Sequence, residues 1–196
     1  MPQNTFNQQK KDILSKTDKS SKGNWDKKIS KLCKKINSLE NYYTTSSCSG
    51  RVVLMVDKEK KERGLFVRVY HDLISWNSIK KDLNDIIEDK KLRNKLIKFK
   101  LDPCILHVAC RDIDNAKKLC DYARKAGWKR SGIIGFSGKN ARVMVELNST
   151  EKFEFPIIRD GKVLVDDIFL KIIVKESNKK LKKGWKKISD FGNLLK

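Results

Sequence analysis

Thr44–Arg51 reads TTSSCSGR: every residue but the last is glycine or carries a small hydroxyl or thiol, and an arginine closes the run. Read as a turn, such a segment offers backbone amides and hydroxyls to an anion or polar head group, and Arg51 adds a bidentate fork. A serine nucleophile is not expected, because no motif sets a histidine and an acid around these serines. The chain has two histidines, His71 and His107. His107 is the centre of Cys104-x-x-His107-x-x-Cys110, a spacing that suggests a metal tripod. On a strand, residues three apart point to opposite faces, so both cysteines share one face and His107 takes the other. No C-x-x-C completes a ligand set, so no metal site is expected. Gly132, Gly135 and Gly138 in SGIIGFSGKN invite a phosphate-loop reading. Five residues separate the outer pair where a Walker loop has four, and Asn140 follows Lys139 where Ser or Thr is required. These glycines are expected to shape a strand and its turn.

The elements that must carry these residues emerge from periodicity. Residues 1–23 are polar and Lys-rich; Phe6, Ile13 and Leu14 can hold a short helix against the body, with Asp18–Gly23 as a linker. Asn24 is expected to cap a helix in which Ile29, Leu32, Cys33, Ile36 and Leu39 recur at helical spacing. RVVLMVD after Gly50 is a nearly continuous β-branched run, as in a strand buried on both faces, and Leu65–Tyr70 comes after a charged turn at Asp57–Gly64. Ser78 opens a predicted long helix carrying Ile79, Leu83, Ile86, Ile87, Leu92, Leu96 and Ile97, with a possible break near Glu88 and an end at Pro103. Cys104–Ala109 reads as an apolar strand. Asp112 caps a helix with Ile113, Ala116, Leu119, Cys120 and Ala123 on one face, stopped by Gly127. Strands are expected around Gly132–Phe136, Arg142–Leu147 and Glu154–Ile158, and a last helix begins at Asp166.

Each half of this order runs helix, Ser/Gly-containing turn, strands, helix. The pattern predicts one α+β domain over 1–196, a single mixed sheet with helices packed on it. It reads as a degenerate duplication with pseudo-repeats near 24–100 and 112–183. A Rossmann architecture is not expected, since no G-x-G-x-x-G comes after a strand.

Composition narrows the partners. The 196 residues include 45 Lys or Arg against 24 Asp or Glu, a net charge of +21, which calls for a polyanion or dense counterions. Eight lysines fall within Lys171–Lys187 with only Glu176 to offset them, and a second set lines Lys80–Lys100. A phosphate-backbone footprint is expected there, with Lys179, Lys180, Lys182, Lys183 and Lys186 as RNA-binding candidates. No apolar run is long enough to span a membrane and no export signal opens the chain. Five cysteines at uneven spacing then read as reduced thiols of a cytoplasmic protein.

Several segments together make TTSSCSGR specific: DKSSKGNWD (18–26), INSLENYYTTSSCSGR (36–51), LDPCILHVACRDIDNAKKL (101–119), AGWKRSG (126–132), Phe155–Pro156–Ile157 and ESNKKL (176–181). In these the sequence resembles the tRNA wybutosine-synthesising methyltransferase family, in its compact stand-alone form. Asp102–Pro103 stands where the family pattern has Glu-Pro, which shortens that carboxylate by one methylene.

The resemblance implies a non-Rossmann, S-adenosylmethionine-dependent enzyme that methylates N4 of the 4-demethylwyosine-type base beside the anticodon of phenylalanine tRNA. It leaves open whether that base carries an aminocarboxypropyl arm. The motifs nominate Ser47, Arg51, His71, Asp102 and His107 as catalytic candidates. Ser46, Ser49, Gly50, Lys129, Arg130 and Ser131 are the cofactor-binding candidates, with Tyr42, Tyr43 or Trp76 as platforms for a splayed-out base. The partner is the tRNA anticodon stem-loop, with no membrane and no obligate protein partner. The alternative is a non-catalytic basic RNA-binding protein.

Overall fold

The computed structural model describes residues 6–15, 26–58, 64–137 and 142–195. In chain order its elements are α1 (Phe6–Leu14), α2 (Lys27–Ser38), β1 (Tyr42–Cys48), β2 (Arg51–Val56), β3 (Phe66–Tyr70), α3 (Trp76–Glu88) and β4 (Ile97–Asp102). Next come β5 (Ile105–Cys110), α4 (Ile113–Lys125), β6 (Gly132–Ser137), β7 (Arg142–Asn148), β8 (Phe153–Arg159), β9 (Lys162–Val163) and α5 (Asp167–Leu194). They gather into two interleaved compact units. The first comprises Met1–Ser49, Pro103–Thr150 and Gly184–Lys196; the second comprises Gly50–Asp102 and Glu151–Lys183. The last boundary therefore falls inside α5.

The first unit holds a four-stranded sheet in the order β1-β5-β7-β6, every pair antiparallel. Period-two alternation sends Leu106, Val108 and Cys110 of β5, and Val143, Val145 and Leu147 of β7, into one core. Helical spacing sends Ile29, Leu32, Cys33 and Ile36 of α2, and Ala116, Leu119, Cys120 and Ala123 of α4, onto the same side. Each fully buried Leu or Ile there contributes about 1.5–3 kcal/mol. Asp112 caps α4 by accepting from Asn115 N at 2.8 Å, and Gly127, at φ 88°, turns the chain beyond it. The opposite face of the sheet is covered in part by α1, whose Phe6 packs on Tyr43 and Ala109.

The second unit holds a five-stranded sheet in the order β3-β2-β4-β8-β9, again all antiparallel. Ile97, Phe99 and Leu101 of β4 are buried while Lys98, Lys100 and Asp102 alternate outward. Phe99, Phe153 and Phe155 stack along the sheet, and Phe169 of α5 meets Phe155 edge-on. Ser75 caps α3, and Asp82 ties that helix to β3 by accepting from both Arg68 and the Tyr70 hydroxyl.

The α+β, non-Rossmann expectation stands, but three details need correction. First, there are two antiparallel sheets, not one mixed sheet. The links Ser49–Gly50 and Pro103–Cys104 are each two residues long, yet the strands they join, β1 with β2 and β4 with β5, do not pair. Tight hairpins need positive φ at the first loop residue, and neither Ser49 nor Pro103 has it; Asp160–Gly161, positive at both, does close the β8–β9 hairpin. Second, the long helix predicted from Ser78 to Pro103 ends at Glu88, and its remainder is a turn and then β4. IKFKLD alternates strictly, a period-two signal hidden by the helical spacing of Leu92, Leu96 and Ile97. Third, Thr44–Cys48 is strand rather than turn. Asn24, Asp18–Gly23 and Gly138–Asn140 lie outside the described residues.

Candidate functional site

Ser-rich Tyr42–Cys48 forms a strand because both partners of its ladder are supplied from elsewhere. Asn37 bonds Thr44 twice, through its amide oxygen to Thr44 N at 2.7 Å and its amide nitrogen to Thr44 Oγ1 at 3.0 Å. On its other edge the strand pairs with β5 along its whole length, from Tyr42 opposite Cys110 to Cys48 opposite Ile105. The register slips by one residue between Thr44 and Ser46, leaving Thr45 as a bulge. That extra residue re-aims the rest of the strand. Thr44 sits opposite core-facing Val108, whereas Ser46 sits opposite His107 on the other face. Ser47 pairs with Leu106 and so faces away from Ser46.

The same register continues across the sheet, with His107 directly opposite Glu146 of β7. Three side chains consequently meet in one row. Ser46 Oγ lies 2.6 Å from His107 Nδ1, and His107 Nε2 lies 3.0 Å from Glu146 Oε2. Asn148 Nδ2 donates to the other Glu146 oxygen at 3.4 Å. Ser46 is exposed; His107 and Glu146 are half-buried. The His107 hydrogen bond, the largest contribution, holds the Glu146 carboxyl below its ordinary value against a smaller opposing effect of burial. A histidine and an acid thus do stand beside a serine, contrary to the expectation from motif spacing. Cys104 and Cys110 are buried in the core, and His107 occupies the opposite face, as strand parity requires.

The remaining candidates of the first unit are more tightly tied. Ser49 is fully buried and donates through its hydroxyl to Asp26, which also accepts from Ser49 N at 3.3 Å and from Lys28 N at 3.2 Å. One carboxylate therefore caps α2 and fixes the end of β1. The Cys104 thiol donates to Ser49 O at 2.9 Å. Ser131 is buried, donates to Trp128 O at 2.6 Å and accepts from Asn148 N at 3.3 Å, so its hydroxyl serves the turn itself. Lys129 and Arg130 on that turn are exposed, with no side-chain partner among the described residues. Tyr42 and Tyr43 are buried and offer no stacking face; burial pushes the Tyr42 hydroxyl up to about 12.

In the second unit, Arg51 opens β2 directly opposite Asp102 on β4. Its Nε donates to Asp102 Oδ2 at 3.0 Å, and its guanidinium lies 4.8 Å over the Phe66 ring. Lys100 reaches the second Asp102 oxygen at 3.2 Å. Both carboxylate oxygens are engaged by cations, and the two terminal nitrogens of Arg51 have no partner among the described residues. Gly50, at φ 94°, precedes this pair, and His71 comes after β3 in the segment leading to α3. Trp76 already carries two ammonium groups, Lys80 at 4.7 Å and Lys171 at 5.0 Å from its ring centre. Lys179 and Lys183 of α5 have acidic neighbours in Glu176 and Glu151, while Lys180 and Lys182 have none among the described residues. Lys186, in the part of α5 that belongs to the first unit, pairs with Asp190 at 2.8 Å. No helix among the described residues is long and apolar enough to cross a membrane.

Glu146, Asp26 and Asn37 were missed by sequence reasoning. VMVELN alternates clearly enough to place Glu146 on the face away from the core, but its pairing with His107 exists only once the β5–β7 register is known.

A family model described as methyltransferase TYW3 matches residues 8–196. A Methanocaldococcus jannaschii protein named tRNA(Phe) 7-((3-amino-3-carboxypropyl)-4-demethylwyosine(37)-N(4))-methyltransferase is 38% identical over 87% of this chain and 86% of its own. An Archaeoglobus fulgidus protein of the same name is 36% identical over 85% of this chain and 81% of its own. Among solved structures, the PH1069 protein of Pyrococcus horikoshii superposes with a TM-score of 0.84 at 30% identity, covering 97% of this chain and 93% of that one.

Proposed function

The chain belongs to the TYW3 methyltransferase family, and from that premise we propose that it methylates N4 of 4-demethylwyosine carrying the 3-amino-3-carboxypropyl arm, at position 37 of phenylalanine tRNA. The arm, left open by the motifs, is part of the substrate for which both archaeal relatives are named. S-adenosylmethionine, the methyl donor we assign, supplies when bound a methyl group on a positively charged sulfur. The donor set of the first unit suits it: the exposed Lys129 and Arg130 are each fit to take its carboxylate. Exposed Ser46 and half-buried Ser47 offer hydroxyls to its polar groups or to the base.

One observation carries the chemical reading. Within the TTSSCSGR motif, Ser46 presents its hydroxyl to His107 at 2.6 Å on an accessible stretch of strand. Methylating a ring N–H leaves one proton too many on the nitrogen, and a neutral imidazole has a nitrogen lone pair that can accept it. His107 is the base in this reading, and Arg51, held by Asp102 and Phe66, is the anion-orienting group. Asp102, with a cation on each oxygen, orients Arg51 rather than moving a proton. The unpaired lysines of α5 hold tRNA phosphates, each worth a counterion released. Five free cysteines suit a reducing cytoplasm.

The test is mass spectrometry of the tricyclic nucleoside after the chain is incubated with hypomodified phenylalanine tRNA and S-adenosylmethionine. A gain of one methylene, located on N4, is expected. Tight tRNA binding with no mass gain and no calorimetric binding of S-adenosylmethionine would instead fit a non-catalytic RNA-binding protein.

A further inference from the structure

Glu146 lies in none of the motifs, yet the antiparallel register sets it at the end of the Ser46–His107 row. Its neighbours on β7, Val145 and Leu147, are fully buried in the core, so strand parity alone puts position 146 on the accessible face. Parity does not explain a carboxylate there. The distances do: Glu146 Oε2 is 3.0 Å from His107 Nε2, and Asn148 steadies the other oxygen at 3.4 Å.

An ionised carboxylate only accepts hydrogen bonds, and a neutral imidazole has one N–H. Against Glu146 that proton belongs on Nε2, which leaves the Nδ1 lone pair to accept from the Ser46 hydroxyl. We propose that Glu146 is a positioning residue, holding His107 in this tautomer so that Ser46 and His107 together relay the substrate's ring proton away from the reacting nitrogen. The relay rests on the methyl transfer proposed above. As the ring N–H proton moves to Ser46 Oγ, the Ser46 hydroxyl proton moves to His107 Nδ1, and the imidazolium formed lies against the Glu146 carboxylate. The electron pair freed from the N–H bond becomes the nitrogen's bond to the methyl carbon, and the carbon–sulfur pair leaves with the donor's sulfur. Ser46 is thereby the residue that meets the base, and no acyl or phosphoryl chemistry is required of it.

The test compares the full chain with its Glu146→Gln and Ser46→Ala variants, with two readouts. Ring nitrogen-15 shifts of His107 in the wild-type chain are expected to show a protonated Nε2 and a bare, hydrogen-bonded Nδ1. In Glu146→Gln the amide can turn its NH2 toward Nε2 and drive the proton to Nδ1. Single-turnover methyl transfer then falls about a hundredfold in both variants, with tRNA affinity unchanged within about twofold. Melting temperatures within about 4 °C of wild type separate this from loss of fold. A wild-type imidazole protonated on Nδ1 overturns the proposal, as does a Glu146→Gln variant with wild-type rate. A wild-type chain that binds tRNA, keeps the expected tautomer and transfers no methyl group overturns the functional reading, and the relay with it.

Discussion

Two short cross-strand rows of polar residues, one in each unit, are built alike but filled differently. In the first unit, β1, β5 and β7 align Ser46, His107 and Glu146. In the second, β2 and β4 align Arg51 with Asp102, and Lys100 closes on the same carboxylate. The first row has a single carboxylate and no fixed cation, and it ends in an exposed hydroxyl, so it can accept and pass a proton. The second row is saturated with charge: its carboxylate is engaged by two cations, and what it presents is the free end of a guanidinium. Neighbouring residues of one motif, Ser46 and Arg51, thus stand in different surroundings because the chain crosses from one sheet to the other at Ser49–Gly50.

The largest effect that sharpens this contrast is expected for Arg51→Ala. Losing the charged fork should lower methyl transfer by at least two to three orders of magnitude, about 3–4 kcal/mol of barrier, with melting temperature and tRNA affinity nearly unchanged. Asp102→Asn should cost only about tenfold, since Arg51 stays in place but is held less firmly. Single-turnover rates for the two variants check the order; a larger loss for Asp102→Asn would make that carboxylate the base and break the division of labour.

Deleting Thr45 tests the register of the other row. Thr44 is already opposite Val108, so a ladder without the bulged residue brings Ser46 directly after Thr44 and keeps it opposite His107. Methyl transfer in the deletion should therefore stay within about tenfold of wild type, whereas Ser46→Ala falls about a hundredfold. A folded deletion variant as slow as Ser46→Ala would show that the bulge itself, and not the pairing of Ser46 with His107, sets the row.

How legible was this in the sequence? The helix capped by Asp112, the strands around His107 and Val145, and the opposite facing of His107 from Cys104 and Cys110 all come from period and parity. Four things did not. Serines followed by a glycine favour turns, so Thr44–Cys48 read as a turn; it is a strand because α2 and β5 hold it. IKFKLD was absorbed into the helix before it. The adjacent tyrosines proved buried, Tyr43 beneath α1 and Tyr42 in the core, because both faces of the first half of β1 are covered. Glu146 had no local signal, since its meaning lies in a partner 39 residues away in sequence.

Two smaller effects complete the comparison. Replacing Lys179, Lys180, Lys182 and Lys183 by Gln should weaken tRNA binding and flatten its salt dependence by about one slope unit for each phosphate no longer neutralised. Because Lys183 lies 3.5 Å from buried Glu151, that quadruple variant should also melt at lower temperature, whereas Lys180→Gln with Lys182→Gln should not. An unchanged slope, measured by titration over a salt series, would take the RNA off this stretch of α5. The smallest effect is on stability and pH. The fold holds the Glu146 carboxyl below its ordinary value of 4.5, chiefly through His107. Its contribution is therefore present above that value and fades as pH falls through the lower folded value. With both partners partly exposed it amounts to less than about 1 kcal/mol. Denaturant unfolding of wild type and Glu146→Gln should show a gap at neutral pH that shrinks in acid; a gap that widens in acid would contradict the assignment.

The most direct measurement is the mass of the tricyclic nucleoside at position 37 of hypomodified phenylalanine tRNA after one turnover with S-adenosylmethionine, wild type beside Ser46→Ala. The row of Ser46, His107 and Glu146 predicts one added methyl on N4 with the wild type, and about a hundredfold slower appearance of the same product with the variant. Equal rates from the two proteins, or a methyl group on another atom, would contradict it.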